Sequence, residues 1–209
     1  MAKTKKTKPE TAAETAVAEG VKEEKKGLGL WFDIVSILLV ASIIIAVFFT
    51  FFFRFSSVVG ISMESTLHDG DWVVLTQMKD KPEYGDIVVI SQPNTFNENI
   101  IKRVIATEGQ TVDIDFTTGT VTVDGKVLDE PYINNATINQ YDLTFPRTVP
   151  KGYCFCMGDN RQNSLDCRSS EVAPSDDPAK VGFIRNEYIL GEAVLARTSN
   201  GFENMRFQG

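Results

Sequence analysis

From Trp31 to Phe53 the chain is apolar apart from Asp33, Ser36, Ser42 and Thr50. Ile34 to Phe53 alone is 20 residues, about 30 Å as a helix, which matches the hydrocarbon thickness of a bilayer. A uniformly apolar run of this length predicts a membrane-spanning helix over 30–54 rather than a buried core helix. A cleaved secretory leader fits less well. The run is too long for a leader's apolar core, and Phe51-Phe52-Phe53-Arg54-Phe55 is bulky where a small-x-small cleavage site belongs. Upstream, residues 1–29 hold seven Lys and five Glu among many Ala and Thr, with almost no large apolar side chains. Such a segment buries too little surface to offset its ordering entropy, so a flexible tail is expected there.

Beyond the apolar run the pattern changes to short β-branched stretches bounded by Gly, Pro and Asp. Strands are predicted over 72–76, 86–90, 100–105, 111–115, 120–123, 153–157 and 188–196. Asp124-Gly125 lies between two such stretches and is a hairpin signal, with Gly125 meeting the positive φ that the turn requires. Residues 169–180, rich in Ser, Asp, Pro and Ala, are expected as a surface loop. Beyond the anchor the chain has no long helix-period segment and no internal repeat. The predicted fold class is therefore mainly β. A twisted antiparallel sheet over 55–209, with a small β-hairpin insertion at about 110–150, hangs on one N-terminal transmembrane helix.

Charge narrows the function. The 209 residues carry 21 Lys+Arg against 28 Asp+Glu, a formal net charge of -7, which argues against nucleic acid as a partner. His68 is the single histidine, so no multi-histidine metal site can form, and any Ser-His or Cys-His mechanism depends on that one residue. Lys22, Lys25 and Lys26 precede the apolar run, whereas only Arg54 closely follows it. The positive-inside rule then puts the N-terminus in the cytoplasm and residues 55–209 outside, on a plasma membrane. That outer part has 13 Lys+Arg and 22 Asp+Glu, a net of -9, so general charge attraction to anionic lipid is not expected. Cys154, Cys156 and Cys167 are an odd number for an oxidising exterior. Their spacing differs from a zinc knuckle. Cys154 and Cys156, two apart in a strand, share a face and are expected to pack as small apolar residues. No metal and no cofactor is expected.

Three segments carry the candidate chemistry: Gly60-Ile-Ser-Met-Glu-Ser-Thr-Leu67, Asn99-Ile-Ile-Lys-Arg-Val-Ile-Ala-Thr-Glu-Gly109, and Met157-Gly-Asp-Asn-Arg-Gln-Asn-Ser-Leu-Asp-Cys-Arg168. With Tyr84-Gly-Asp-Ile-Val-Val-Ile90 and the closing Gly191-Glu-Ala-Val-Leu-Ala, they resemble the type I signal peptidases. These are membrane-bound serine proteases, of a fold shared with the SOS-repressor peptidases, that remove leader peptides from exported proteins. The resemblance runs in order over most of residues 30–197. The Gly-Asp-Asn-Arg string is highly specific, Ser-Met-x-x-Thr-Leu moderately so, and Lys-Arg-Val-Ile alone is weak.

The resemblance implies Ser62 as nucleophile and Lys102 as general base. Chemically, a serine hydroxyl needs an adjacent base. Lysine can be that base when burial pulls its pKa from about 10.4 toward neutrality. The family pattern puts Ser164 near the lysine, where its hydroxyl can orient the amine. Arg103, on the strand face opposite Lys102, suits a salt bridge rather than catalysis. Asp159, Arg161, Asp166 and Arg168 suit an ion-paired scaffold near the site. Val58, Val59, Gly60, Met63, Leu67, Ile100 and Ile101 are the expected substrate-binding residues, several of them lining shallow apolar pockets for small side chains at the first and third positions before the cut. The Ser62 N–H is the natural oxyanion donor. Gly60 stands where some members have a hydroxyl, so the second donor is left open. Ser65 replaces the family's usual proline, Ala106 a common glycine and Cys167 a usual serine. The implied partners are exported preproteins with signal peptides, and membrane lipid. Two alternatives stay open: a Ser/Lys protease of this fold that cleaves itself or one dedicated partner, and a tethered β-domain that binds without catalysis.

Overall fold

The computed structural model describes residues 12–77 and 81–205, and the chain divides into two compact units between Phe51 and Phe52. The first contains all but the last residue of α1 (Ala12–Phe52). Its Gly29–Thr50 part, 22 residues of mean hydropathy 2.8, is long and apolar enough to cross a membrane. The hydroxyls within it are satisfied by the helix itself: Ser36 Oγ donates to the Phe32 carbonyl, Ser42 Oγ to Leu39 and Thr50 Oγ1 to Ala46, at 2.7–2.8 Å. None of them then needs water inside hydrocarbon. Two expectations are corrected. Residues from Ala12 onward, expected in a flexible tail, are helical. Ala, Glu and Lys are strong helix formers, and an adjoining apolar helix removes the cost of nucleation. Residues 1–11 of that tail lie outside the described residues. The helix also ends at Phe52, so Phe53 and Arg54 open a strand instead of closing the anchor.

That strand is β1 (Phe53–Ser57). It is followed by β2 (Trp72–Thr76), β3 (Ile87–Ile90) and β4 (Ile100–Thr107). Next come β5 (Thr111–Asp115), β6 (Thr120–Val123), β7 (Lys126–Val127) and β8 (Arg147–Thr148). The last four are β9 (Tyr153–Met157), β10 (Ile184–Arg185), β11 (Ile189–Thr198) and β12 (Gly201–Asn204). The larger sheet runs β1-β2-β11-β3-β4-β9-β10, with β12 paired to β11, and its neighbouring pairs are antiparallel. A register shift between Val104 and Ala106 bends β4 against β9.

At its centre this sheet is covered on both faces, as β3 shows. All four of its residues are buried. Val88 and Ile90 point into a large core with Val104, Phe155, Cys156 and Phe183, whereas Ile87 and Val89 point into a second core with Met63, Leu67, Val73 and Leu75. A period of two thus distributes one strand between two cores. The segment expected as a small hairpin insertion holds a separate four-stranded sheet, β7-β6-β5-β8. Its tight turn has positive φ at both Asp124 (52°) and Gly125 (75°), the primed geometry that matches strand twist. The 169–180 loop is also corrected in part. Val172 and Ala173 are buried in the large core, where their apolar side chains anchor the loop.

Candidate active site

Ser62 lies in the turn that follows β1, and Lys102 lies on β4. The fold brings them together across 40 residues of sequence, with Lys102 Nζ 2.7 Å from Ser62 Oγ. Lys102 is 3% exposed. Antiparallel pairing with Val88 places it on the large-core face of the sheet. Burial pushes the ammonium below the ordinary lysine value, against opposing pulls from Asp166 and, further down, Cys167, Cys156 and Asp159. A buried lysine with a lowered proton affinity, in hydrogen-bond contact with a serine hydroxyl, is a candidate general base beside a candidate nucleophile.

The turn that carries Ser62 is held from behind by residues 158–160. The Asn160 N–H donates to the Ser62 carbonyl (3.1 Å) and Asn160 Nδ2 to the Ile61 carbonyl (3.0 Å). Thr66 Oγ1 donates to Asp159 (2.5 Å), and Asp159 takes a two-pronged contact from Arg103 Nε and Nη2 at 2.8 and 2.7 Å. Arg103 sits opposite Lys102 on β4, so a single strand carries both the candidate base and the bond that locks the turn beside it. Asp166 pairs with Arg168 through two contacts of 2.8 Å and accepts the Gly158 N–H at 3.0 Å. Burial opposes the charge on Asp166, but Arg168, Gly158 and Lys102 hold its carboxyl below the usual range. Arg161 reaches away from this pair. It bonds Glu130 (2.9 and 2.5 Å) and Thr137 (2.8 Å) in the 110–150 segment.

Gly158, Asn160 and Thr66 lie inside the candidate segments, but the sequence assigns them no individual role. The case of Gly158 is steric. A Cβ there would lie 2.2 Å from Ser164 Oγ and 2.4 Å from the Ser62 carbonyl oxygen. The same contacts place Ser164 against the nucleophile turn. Its hydroxyl is fully buried and has no hydrogen-bond partner among the described residues, so the expected bond to the lysine amine is not formed in this arrangement. The Gly60 N–H is occupied by Asp69 Oδ1 at 2.8 Å. His68 is exposed and faces Asp71.

The expected substrate-binding residues divide into two groups. Val59 and Gly60 are exposed, and Ile100 and Ile101 are half-buried. Val58, Met63 and Leu67 are corrected, because all three are sealed in the second core at 3% exposure or less. A five-residue turn cannot direct every apolar side chain outward, and these three fix it to the sheet. The three cysteines are buried free thiols. The Cys154 and Cys156 sulfurs are 3.6 Å apart, and Cys167 Sγ accepts the Cys156 N–H.

Residues 31–197 match the family described as signal peptidase, peptidase S26. The chain is 34% identical over 215 residues to the probable signal peptidase I of Mycobacterium leprae (strain TN), covering 78% of this chain and 72% of that one. It is 38% identical over 144 residues to the probable signal peptidase I-1 of Synechocystis sp., covering 64% of this chain and 65% of the other. A crystal structure of a signal peptidase I from Enterococcus faecalis V583 is 27% identical, with a TM-score of 0.40 over 54% of this chain and 97% of that one. The family match spans the nucleophile turn, the lysine strand and the Gly-Asp-Asn-Arg segment, and on that breadth the chain belongs to the peptidase S26 family of signal peptidases.

Proposed function

We propose that the chain is a membrane-anchored serine endopeptidase that removes signal peptides from exported preproteins, with Ser62 as nucleophile and Lys102 as general base. The observation that carries this reading is the 2.7 Å contact between Lys102 Nζ and Ser62 Oγ, at a buried lysine whose ammonium is disfavoured by burial. Neutral Lys102 takes the Ser62 proton as Oγ attacks the scissile carbonyl. The resulting ammonium returns that proton to the departing amine of the mature protein, leaving an ester on Ser62. Water then attacks the ester, giving one proton to Lys102, which passes it to Ser62 Oγ as the acyl–oxygen bond breaks; the signal peptide leaves as its carboxylic acid and ionises in solvent. The Ser62 N–H serves the oxyanion. Ser164 positions the lysine amine once its unspent hydroxyl turns toward it.

The substrate is read as an added strand. β9 pairs with β4 only from Arg103 to Thr107, so a peptide can pair alongside Ile100–Lys102 and bring its scissile bond to Ser62. Val59, Ile100 and Ile101 then border the small pockets. Lipid is the second partner. Strand register puts Phe55, Trp72, Val74, Leu195 and Phe202 on one face of β1-β2-β11-β12, and Phe55 and Phe202 are 70% and 72% exposed. β1 starts at the residue after α1 ends. A face that follows directly on a membrane span and exposes aromatic rings suits the bilayer interface, where apolar contact replaces the missing charge attraction.

The test is cleavage of a preprotein at its signal-peptide junction by the purified full-length protein in lipid or detergent. Activity lost in Ser62→Ala supports the reading, and cleavage that survives in Ser62→Ala overturns it.

A further inference from the structure

Residues 139–142 lie in the 110–150 segment without regular secondary structure, and they are laced to the stretch that carries Ser164. Asn139 Nδ2 donates to the Gln162 carbonyl (2.7 Å), and the Asn139 carbonyl accepts Arg168 Nη1 (3.1 Å). Asp142 Oδ1 accepts the Ser170 N–H at 3.0 Å. Between these ties the Tyr141 hydroxyl donates 2.9 Å to the Ser164 carbonyl. That carbonyl also accepts Arg168 Nη2 at 3.1 Å, so both of its lone pairs are engaged. The Arg168 guanidinium lies 5.1 Å from the Tyr141 ring centroid, which links the two donors to each other. Burial raises the phenol above its ordinary value, against the pull of Arg168 and with help from Asp166, so at neutral pH it stays a donor.

The Ser164 carbonyl does no chemistry, but its placement governs the side chain on the same residue. Ser164 Oγ is buried without a hydrogen-bond partner among the described residues, and it sits where Gly158 leaves room beside the Ser62 carbonyl. With the main chain pinned by two donors, rotation about χ1 is the freedom left to the hydroxyl. Whether that rotation carries it to the Lys102 amine, itself 2.7 Å from Ser62 Oγ, depends on where the main chain is held. We propose that Tyr141 is a positioning residue: its hydroxyl fixes the backbone of Ser164 so that the serine hydroxyl can reach and orient the Lys102 amine. Arg168 divides its guanidinium among Asp166, the Asn139 carbonyl and the Ser164 carbonyl, whereas Tyr141 has one donor and spends it on Ser164. The 110–150 segment is thereby part of the support of the base.

The proposal rests on the peptidase reading, which Ser62→Ala tests separately, and on Ser164 acting through Lys102. The experiment measures kcat and KM for preprotein cleavage by the full-length protein and by its Tyr141→Phe, Ser164→Ala and doubly substituted variants, below the thermal midpoint of all four. Tyr141→Phe keeps the ring against Arg168 and removes the hydroxyl alone. It should lower kcat by about 10-fold, the scale of one hydrogen bond, with KM changed less than about 3-fold. In the Ser164→Ala background the same substitution should change kcat by less than about 2-fold, because no hydroxyl is left to place. Parent-like kcat in Tyr141→Phe overturns the proposal. So does an equal fall in both backgrounds, since the effect then bypasses Ser164. Parent-like kcat in Ser164→Ala overturns it as well, because Tyr141 then has nothing to act on.

Discussion

A lysine works as a base only where the protein makes its charge uncomfortable, and Lys102 is placed so. Its side chain is buried, and the carboxylate that most opposes loss of its proton, Asp166, is already engaged by Arg168. In the proposed mechanism neutral Lys102 is the active form, so kcat/KM should rise with pH through an acidic limb whose midpoint lies below about 10.4. Lys102→Arg keeps a cation that cannot deprotonate and should be as inactive as Lys102→Ala. Substantial activity in Lys102→Arg, with a dead His68→Ala, would end the dyad reading. Gly158 offers a second test at this scale. Gly158→Ala forces a methyl against Ser164 and the Ser62 carbonyl, which should cost about 1–3 kcal/mol of stability and a larger share of kcat than of KM. Ser164→Ala should slow turnover by about 10- to 1000-fold, and parent-like turnover would return Ser164 to a packing role.

Among the elements, β4 and the 157–168 segment form a unit joined by buried ions. Arg103 with Asp159 and Asp166 with Arg168 are almost fully removed from water. Removing one partner leaves a buried charge unmatched, so Asp159→Ala should destabilise by about 3–5 kcal/mol in denaturant unfolding. The pH dependence of Asp166 follows from its lowered carboxyl value. A group whose folded value is depressed contributes stability above its unfolded value of about 3.9, and loses it as pH falls through the folded one. The urea midpoint should therefore drop below pH 4, and Asp166→Asn should flatten that drop. An unchanged acid profile in Asp166→Asn would locate the loss elsewhere.

At the scale of the whole chain, the apolar span and its flanking lysines bear on topology. Protease added outside intact cells, once the wall is removed, should digest residues 55–209 and spare residues 1–29. Protection of the β unit would reverse the orientation. Replacing Phe55, Trp72 and Phe202 together with serine should weaken cleavage of membrane-inserted preproteins more than cleavage of short soluble peptides. Equal losses on both substrates would remove lipid from the explanation.

Much of this was legible in the amino-acid order because it depends on local physics. The span follows from 22 consecutive residues of high hydropathy, and β2, β5, β6 and β9 follow from β-branched runs between turn residues, with the boundaries expected from them. Ser62, Lys102 and the charged string around Asp166 were legible through dense motifs. The short strands β1, β8, β10 and β12 were not, since β1 and β12 hold no β-branched residue, β8 and β10 are two residues long, and all four gain their order from a partner strand. The helical extension to Ala12 was hidden for a related reason, because a polar segment owes its helix to the apolar one it continues. Gly158 became significant only when Ser164 and Ser62 closed around it, and Tyr141 only when its hydroxyl met the Ser164 carbonyl from 23 residues away. Sequence alone determined the long apolar span and the strand-rich class and supplied the candidate reacting groups, which are properties of single residues and short windows. The tertiary structure decided which apolar side chains are sealed in cores, where the buried charges find partners, and what holds the nucleophile in place, because each of those depends on contacts between segments distant along the chain.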